Sequence, residues 1–499
     1  MKQRPRPTLG DLVAGVTVAL VLIPQALAYA KLAGMPPERG LYAAAIPLLV
    51  AAPLASSPYL QTGPVALTAL LSFGALSSIA APGSDEYVAL GLLLAVIVGV
   101  ARVLVGLLRA GVIAYLMSRP VLMGFVPGAA TLIVCSQLPG ALGAQPPDGG
   151  LLEQAGWALA HPDAWRWAAL ALTLGVAVAV VGGRRLHPLF PGVLVGVVAA
   201  TVISAGAGYD GAVVGDIVIG IPPLSVDLPW GDVATLLVPG LVIALVGFAE
   251  PASIARTFAA QERRPWDADR EFVSQGAANI AAGLTGGFPV GGSFSRSALN
   301  RQAGARTPWS GAITGVAVLI ALPFVGLLAD LPVAVLSAVV IVAAATLLDP
   351  MPAIGLWRHS RPQALVAATT FALTLALAPR LERAILAGIG LSLAVHLWRE
   401  LHIDTRIWRE GATLHARPQG VLWFGAAQAL EDRLLRALAD ERDAESLVLH
   451  LDGVGRLDVT AGLSLRAALD EARRTGMTVE VVGARPADRR VVDGIVLDR

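Results

Sequence analysis

Gln61-Thr62-Gly63-Pro64-Val65-Ala66 and Phe288-Pro289-Val290-Gly291-Gly292-Ser293-Phe294-Ser295-Arg296-Ser297 interrupt otherwise apolar sequence, one in each half of a long hydrophobic region. Backbone that breaks inside a bilayer is tolerated only where it is buried in protein or lines a cavity. Two such breaks at matching places in two halves mark the central binding site of a transporter. The second break also carries Arg296, and a charge at that depth is costly enough to be a functional hypothesis in its own right.

The composition agrees. Across 499 residues the mean hydropathy is +0.68, 55% of residues are hydrophobic and only 15% are charged, against about 25% charged in a soluble domain. The apolar excess lies in residues 1–400, expected to be a transmembrane transport domain. Residues 405–499 have the composition of a soluble domain. The net charge of +1 says nothing about nucleic acid, and no nucleic-acid partner is expected. Cys135 is the only cysteine and sits in an apolar run, which reads as an inert thiol and excludes an internal disulfide or cysteine metal cluster. No metal site and no cofactor are expected, only protons as a coupling ion. Lys2, Arg4 and Arg6 resemble a basic leader, but the following run is too long and lacks a small-residue cleavage site, so it reads as a first span.

A span needs about 20 mainly apolar residues. Clear candidates are 11–31, 87–108, 163–182, 235–259, 306–328 and 361–379. Shorter or interrupted ones are 40–57, 64–80, 112–138, 189–206, 271–286, 295–303, 332–348 and 382–398. The total is about 14, which divides into two sets of seven over about 9–206 and 234–398. Loops 139–162 and 206–233 hold Asp148, Glu153, Asp210, Asp216, Asp227 and Asp232 but no Lys or Arg. The alternate loops hold Arg109, Arg119, Arg184, Arg185, Arg256, Arg263, Arg264, Arg301, Arg306, Arg358 and Arg361 and are therefore expected in the cytoplasm, with both termini. Arg380 and Arg383 fall on the other side of that assignment.

A weak repeat relates the halves. Ala19-Leu20-Val21 matches Ala244-Leu245-Val246, and the same register pairs Gln25 with Glu250 and Lys31 with Arg256. An odd number of spans per repeat makes the two copies inverted, the arrangement in which half-helices meet at the midplane. Beyond about 405, strand and helix alternate: 421–424, 446–451 and 478–482 read as strands, 427–442 and 461–475 as helices. This is a small α/β domain.

A helix beginning at Pro64 leaves its first N–H groups unpaired, and so does one beginning near Ser295. Facing each other, they make a cradle of positive potential for an anion, lined by Gly63, Pro64 and Val65 on one side and Gly292, Ser293 and Ser295 on the other. Arg296 adds a planar fork suited to carboxylate, sulfate or bicarbonate. The bland alternatives are helix packing for the glycines and a structural ion pair with Glu250 for Arg296. Glu250 lies deep in a span, where burial disfavours its charge and a nearby guanidinium favours it. A carboxyl between those influences can load and release a proton, so Glu250 is the candidate coupling residue. Gln25, after a probable local break at Pro24, and Tyr29, one turn on, read as lining the site.

The runs Asp11–Ala19, Ile23–Ala30, Gly40–Ala44 and Gly63–Ala66, then Gln275–Ile280, Gly292–Asn300 and Gly304–Thr307, resemble the signatures of the SulP (sulfate permease) anion transporters. The resemblance implies a seven-plus-seven inverted repeat with core and gate domains, and an anion site lined by Gln25, Tyr29, Val65, Ser295 and Arg296. It also implies proton symport through Glu250 and a homodimer. The tail, with Leu451-Asp452-Gly453-Val454 and Leu457–Leu463, resembles the STAS domain of that family, a regulatory fold with a possible cytoplasmic protein partner. Thr460 occupies the position phosphorylated in some soluble relatives, but Ala461 departs from the Ser/Thr-Gly pair expected there. The bland reading of Asp458 and Thr460 is a helix cap.

The expectation is thus a multi-pass inner-membrane protein: polytopic α-helical, with a cytoplasmic α/β STAS domain. Its function would be proton-coupled symport of a small inorganic or organic anion by alternating access. A nucleobase/proton symporter of the same fold is the first rival, disfavoured by Arg296. A membrane-tethered STAS sensor or scaffold is the second, and it needs neither broken helices nor a buried Arg and Glu. No HExxH, Walker loop or GxSxG supports an enzyme.

Overall fold

The structure, a computed structural model, describes residues 6–112, 118–187, 189–215, 217, 220–349, 351–401, 404–486 and 488–496. Lys2, Arg4, Asp216 and residues 113–117 of the expected span 112–138 lie outside the described residues. The chain divides into two compact units, 1–389 and 390–499.

The first unit is helical. Its order is α1 (Leu9–Leu32), α2 (Pro37–Ala51), β1 (Thr62–Gly63), α3 (Ala66–Leu76), α4 (Asp85–Leu107), α5 (Arg119–Leu142), α6 (Leu151–Ala160), α7 (Trp167–Leu186) and α8 (Gly192–Ala207). It continues with α9 (Val233–Gln261), α10 (Ala268–Leu284), β2 (Gly291–Gly292), α11 (Phe294–Gln302), α12 (Trp309–Ala321), α13 (Val333–Ala345), α14 (Met351–His359), α15 (Arg361–Ala376) and α16 (Leu381–Leu401), the last running into the second unit. The pattern of two long helices, a two-residue strand and a short helix occurs at α1–α3 and again at α9–α11. Among the described residues, six helices are long and apolar enough to cross a membrane: α1, α4, α5, α9, α12 with its 3-10 extension, and α16.

Every expected span has a helix, with differences in detail. The expected break at Pro24 is absent: α1 runs through Pro24 without interruption, as α9 runs through Pro239 and Pro251. The span expected over 163–182 starts only at Trp167, which leaves Arg166 in the connection, where its Nη1 donates to Asp210 Oδ2 at 2.9 Å. The acidic loops are therefore not free of arginine. The connection 139–162 contains α6, and Val213 in the other acidic loop bridges to Pro332. Cys135 is a half-buried free thiol on α5.

Buried polar groups tie the helix ends. Asp11, fully buried, closes a capping box with Thr8 and accepts from Arg306 N at 2.8 Å and Thr307 N at 2.9 Å, joining the start of α1 to the α11–α12 turn. Glu271 of α10 accepts from Ser56 N and Ser57 N at 3.1 and 2.8 Å. Each carboxylate satisfies backbone donors that would otherwise be buried without partners.

The second unit, after α16, contains β3 (Asp404–Glu410), β4 (Thr413–Leu422), α17 (Phe424–Asp440), β5 (Ser446–His450), β6 (Val454–Leu457), α18 (Val459–Arg474) and β7 (Thr478–Val482). The sheet order is β3-β4-β5-β7, with β6 beside β4. The β3/β4 pair is antiparallel, while β4/β5 and β5/β7 are parallel, as crossover helices require. Leu414, Ala416, Leu447 and Leu449 alternate onto one face and pack with Leu430 and Leu434 of α17 and Leu465 and Leu469 of α18. The strand expected at 421–424 is instead the end of the longer β4, and Phe424 already opens α17; β3 and β6 are additional.

Candidate functional site

The two sequence breaks meet. Strands β1 and β2 pair antiparallel, Thr62 opposite Gly292 and Gly63 opposite Gly291, and Ser293 N donates to Gln61 O at 3.1 Å. Helices α3 and α11 start immediately after these strands. The pairing therefore brings two helix N-termini together from opposite directions, each a source of positive potential. Extended pairing also explains why α3 starts later than expected. Pro64 precedes the N-cap Val65 (φ −137°, ψ 152°), so helical geometry begins only at Ala66. Gly63 has φ +151°, a value that L side chains rarely adopt. At Gly292 an added Cβ would stand 2.7 Å from Leu60 Cδ1 and 3.1 Å from Pro251 Cγ, so a larger residue there would make these side chains shift.

The helix starts open onto a cavity of about 770 Å³. Tyr29, Val65, Glu250, Ser293, Ser295 and Arg296 contribute to its wall; the opposite side is apolar, with Leu122 and Val126 of α5, Val180 of α7 and Val193 of α8. Gln25, Gly63, Pro64 and Gly292 are buried and do not contribute to the wall. They act on it through Arg296 and the strand pair.

Arg296 is only 1% exposed. Its Nη1 donates to Gln25 Oε1 at 3.3 Å and its Nη2 to Pro64 O at 2.9 Å, so α1 and the β1–α3 junction hold the fork in place. Its Nε is buried with no hydrogen-bond partner. The expected alternative of an Arg296–Glu250 ion pair is not what forms. Glu250 Oε1 instead accepts from Phe294 N, the first residue of α11, at 3.2 Å. Ser293 caps the same helix, accepting from Arg296 N at 3.4 Å, and its Oγ lies 3.3 Å from Ser295 Oγ. By contrast, no side chain caps α3. The arrangement places the uncapped backbone donors of α3 and the guanidinium of Arg296 at a partly apolar chamber, which is chemistry for holding an anion.

A second row keeps the strands in place. Asn279 Nδ2 donates to Val290 O at 3.0 Å while Val290 N donates back to Asn279 Oδ1 at 2.9 Å. One turn earlier on the same face of α10, Gln275 Nε2 donates to Thr62 Oγ1 at 2.7 Å. Arg102 of α4, fully buried, donates to Val290 O and Ala244 O at 3.0 Å each and to Ile243 O at 3.2 Å, latching β2 to α9. Sequence reasoning passed over Arg102; the signal was an arginine inside the apolar run 87–108. In the second unit, Asp458 is the N-cap of α18, accepting from Ala461 N at 2.7 Å, and it also accepts from Phe424 N at 3.0 Å. Thr460 is exposed in the first turn of α18. Among the described residues no group of three or more His, Cys, Asp or Glu could hold a metal ion.

Comparison with known proteins places this geometry in a class of polytopic membrane transporters. Residues 9–370 match the sulfate permease family and 409–499 match the STAS domain. The chain is 37% identical over 402 residues to a protein of Mycobacterium tuberculosis named a probable sulfate transporter, covering 79% of this chain and 71% of that one. It is 30% identical to the sodium-independent sulfate anion transporter of Bos taurus, covering 97% and 85%. The solved structure of murine Solute Carrier 26 family member A9, an anion transporter in the inward-facing state, superposes with a TM-score of 0.88 at 19% identity, covering 100% of this chain and 87% of that one. That likeness establishes the fold. The chain belongs to the sulfate permease family, a family of membrane transporters and not of enzymes, and it carries a C-terminal STAS domain.

Proposed function

We propose that this chain is a secondary active transporter of small anions of the sulfate, bicarbonate or dicarboxylate type, working as a proton symporter by alternating access. The observation that carries the reading is the buried guanidinium of Arg296, held by Gln25 and Pro64 with no carboxylate at ion-pair distance among the described residues, between two helix starts on the wall of the central cavity. An anion there would meet α3's uncapped N–H groups, the Ser295 hydroxyl and the fork of Arg296. A neutral nucleobase would leave that fixed charge uncompensated.

Coupling follows from competition for one helix end. Glu250 occupies the first N–H of α11 with its carboxylate. An arriving anion and an ionised Glu250 repel each other within one low-dielectric chamber. Protonating Glu250 removes that repulsion and lets proton and anion enter as a pair with less net charge to move. The binding half is α1, α3, α9 and α11, and the apolar residues of α5, α7 and α8 are the surface against which it would slide. We further infer about 14 spans in two inverted sets of seven, both termini cytoplasmic in an inner membrane, and a homodimer. The STAS unit would supply a regulatory face for a cytoplasmic protein, with Thr460 its exposed candidate site.

The test is uptake of a labelled anion panel into liposomes holding the purified protein, with and without an inward proton gradient. Uptake of one anion driven by the gradient is the expected result. Uptake indifferent to the gradient would remove the symport claim, and binding without flux would favour a sensor.

A further inference from the structure

A second cavity, of about 310 Å³, lies where α2 and α9 end and α10 and α12 begin, and it shares no lining residue with the central one. Its wall includes Arg264, Arg270 and Arg306, with Trp266 and Trp309 among them and Glu262 as its one acidic residue.

Glu262 is already engaged. It accepts from the Tyr59 hydroxyl at 2.5 Å and stands 3.5 Å from Arg301 Nε and 3.7 Å from Arg264 Nη1. Arg270 uses Nε to hold Leu54 O at 2.9 Å, and Glu271 behind it is occupied by two backbone N–H groups. Arg306 gives its backbone N–H to Asp11, and among the described residues its guanidinium has no hydrogen bond or ion pair. Three exposed arginines therefore line one concave site that has a single, shared carboxylate. Like charges gathered around a cavity favour an anion in it, and planar forks match phosphate oxygens. The site lies at the ends of membrane helices with two tryptophans, the residue type enriched at the lipid–water boundary.

We propose that this pocket is a second anion site that takes a phosphate group, carried by an acidic phospholipid headgroup or by a soluble phosphate. It is independent of the central site and needs only that the helices lie in a bilayer, where arginines near an anionic leaflet attract acidic lipid.

The experiment uses the full chain, purified and delipidated in detergent, with Arg296→Ala introduced throughout to remove the central guanidinium. Phosphatidylglycerol, phosphatidylcholine and inorganic phosphate are the probes, read by native mass spectrometry and by thermal shift. Phosphatidylglycerol should be retained and phosphatidylcholine not. Arg264→Ala/Arg306→Ala should cut that retention about tenfold or more, and Arg264→Lys/Arg306→Lys should keep most of it. Inorganic phosphate that binds in the same arginine-dependent way, with no preference for phosphatidylglycerol, also supports the site and assigns it to a soluble ligand. Equal binding to the parent and the double alanine variant, or no binding of either phosphate probe, overturns the proposal. If the double alanine variant does not elute as a folded species, Arg306→Gln alone provides the same comparison.

Discussion

Helices α3 and α11 begin at equivalent points of the two halves, yet their surroundings differ in charge. The start of α3 has Val65 as its N-cap and no side-chain acceptor, while the start of α11 has Ser293 and the carboxylate of Glu250. Behind α3, the matching residue Gln25 offers a neutral oxygen to Arg296. One half thus keeps its helix end open for a ligand, and the other fills its helix end with a group that can be neutralised. The difference teaches that a repeat can be symmetric in backbone and still divide labour, because the helix dipole is inherited from the fold while its occupancy is set by single side chains.

Removing the positive charge common to both sides should have the largest effect. Arg296→Ala deletes two charge-assisted hydrogen bonds and the fixed cation, and a loss of about 10- to 100-fold in apparent anion affinity is expected; unchanged affinity in a binding titration would remove Arg296 from its role. Making the halves alike comes next. Gln25→Glu would place a carboxylate where the amide oxygen now meets Arg296, neutralising the fork, and a drop of about tenfold in affinity is expected, read from the concentration dependence of uptake.

The opposite equalisation is Glu250→Gln. Anion binding should persist, but uptake should cease to follow the proton gradient; a normal gradient response in liposomes would place coupling elsewhere. The smallest effect lies in the second unit. The Arg417 guanidinium beside Asp452 holds that carboxyl below the usual carboxylate range. A depressed folded-state value means the pair stabilises above the unfolded-state value, about 3.9, and that this contribution is lost as pH falls through the folded-state value. Thermal scans of the full chain should therefore show a small deficit for Arg417→Ala at neutral pH that disappears in strong acid.

Much of the fold was legible because the bilayer restricts the choices. Long apolar runs read as helices, and glycine clustered with proline at matching places in two such runs marked the two interruptions, whereas lone prolines such as Pro24 and Pro251 lie inside unbroken helices. Arg296, Ser293 and Glu250 stood out because polar groups at that depth need a reason. Less was legible at helix ends. Arg166 fell outside its span, Pro24 did not break α1, and β4 was longer than its apolar core, since boundaries depend on capping and pairing partners distant in sequence. Arg102 was hidden for a related reason: its acceptors, Ile243, Ala244 and Val290, are more than a hundred residues away.

The sequence by itself determined that this chain is a membrane transporter with two broken segments and a trailing α/β domain, because hydropathy, charge and the local chemistry of glycine and proline are properties of neighbouring residues. Only the tertiary structure decided that the breaks pair as β1 and β2, that Arg296 is held by Gln25 and Pro64 and not by Glu250, and that Glu250 reaches the first N–H of α11. The strand pairing and the Arg296 contacts join segments more than two hundred residues apart, and the Glu250 contact joins residues 44 apart; hydrogen-bond geometry at such separations follows from packing.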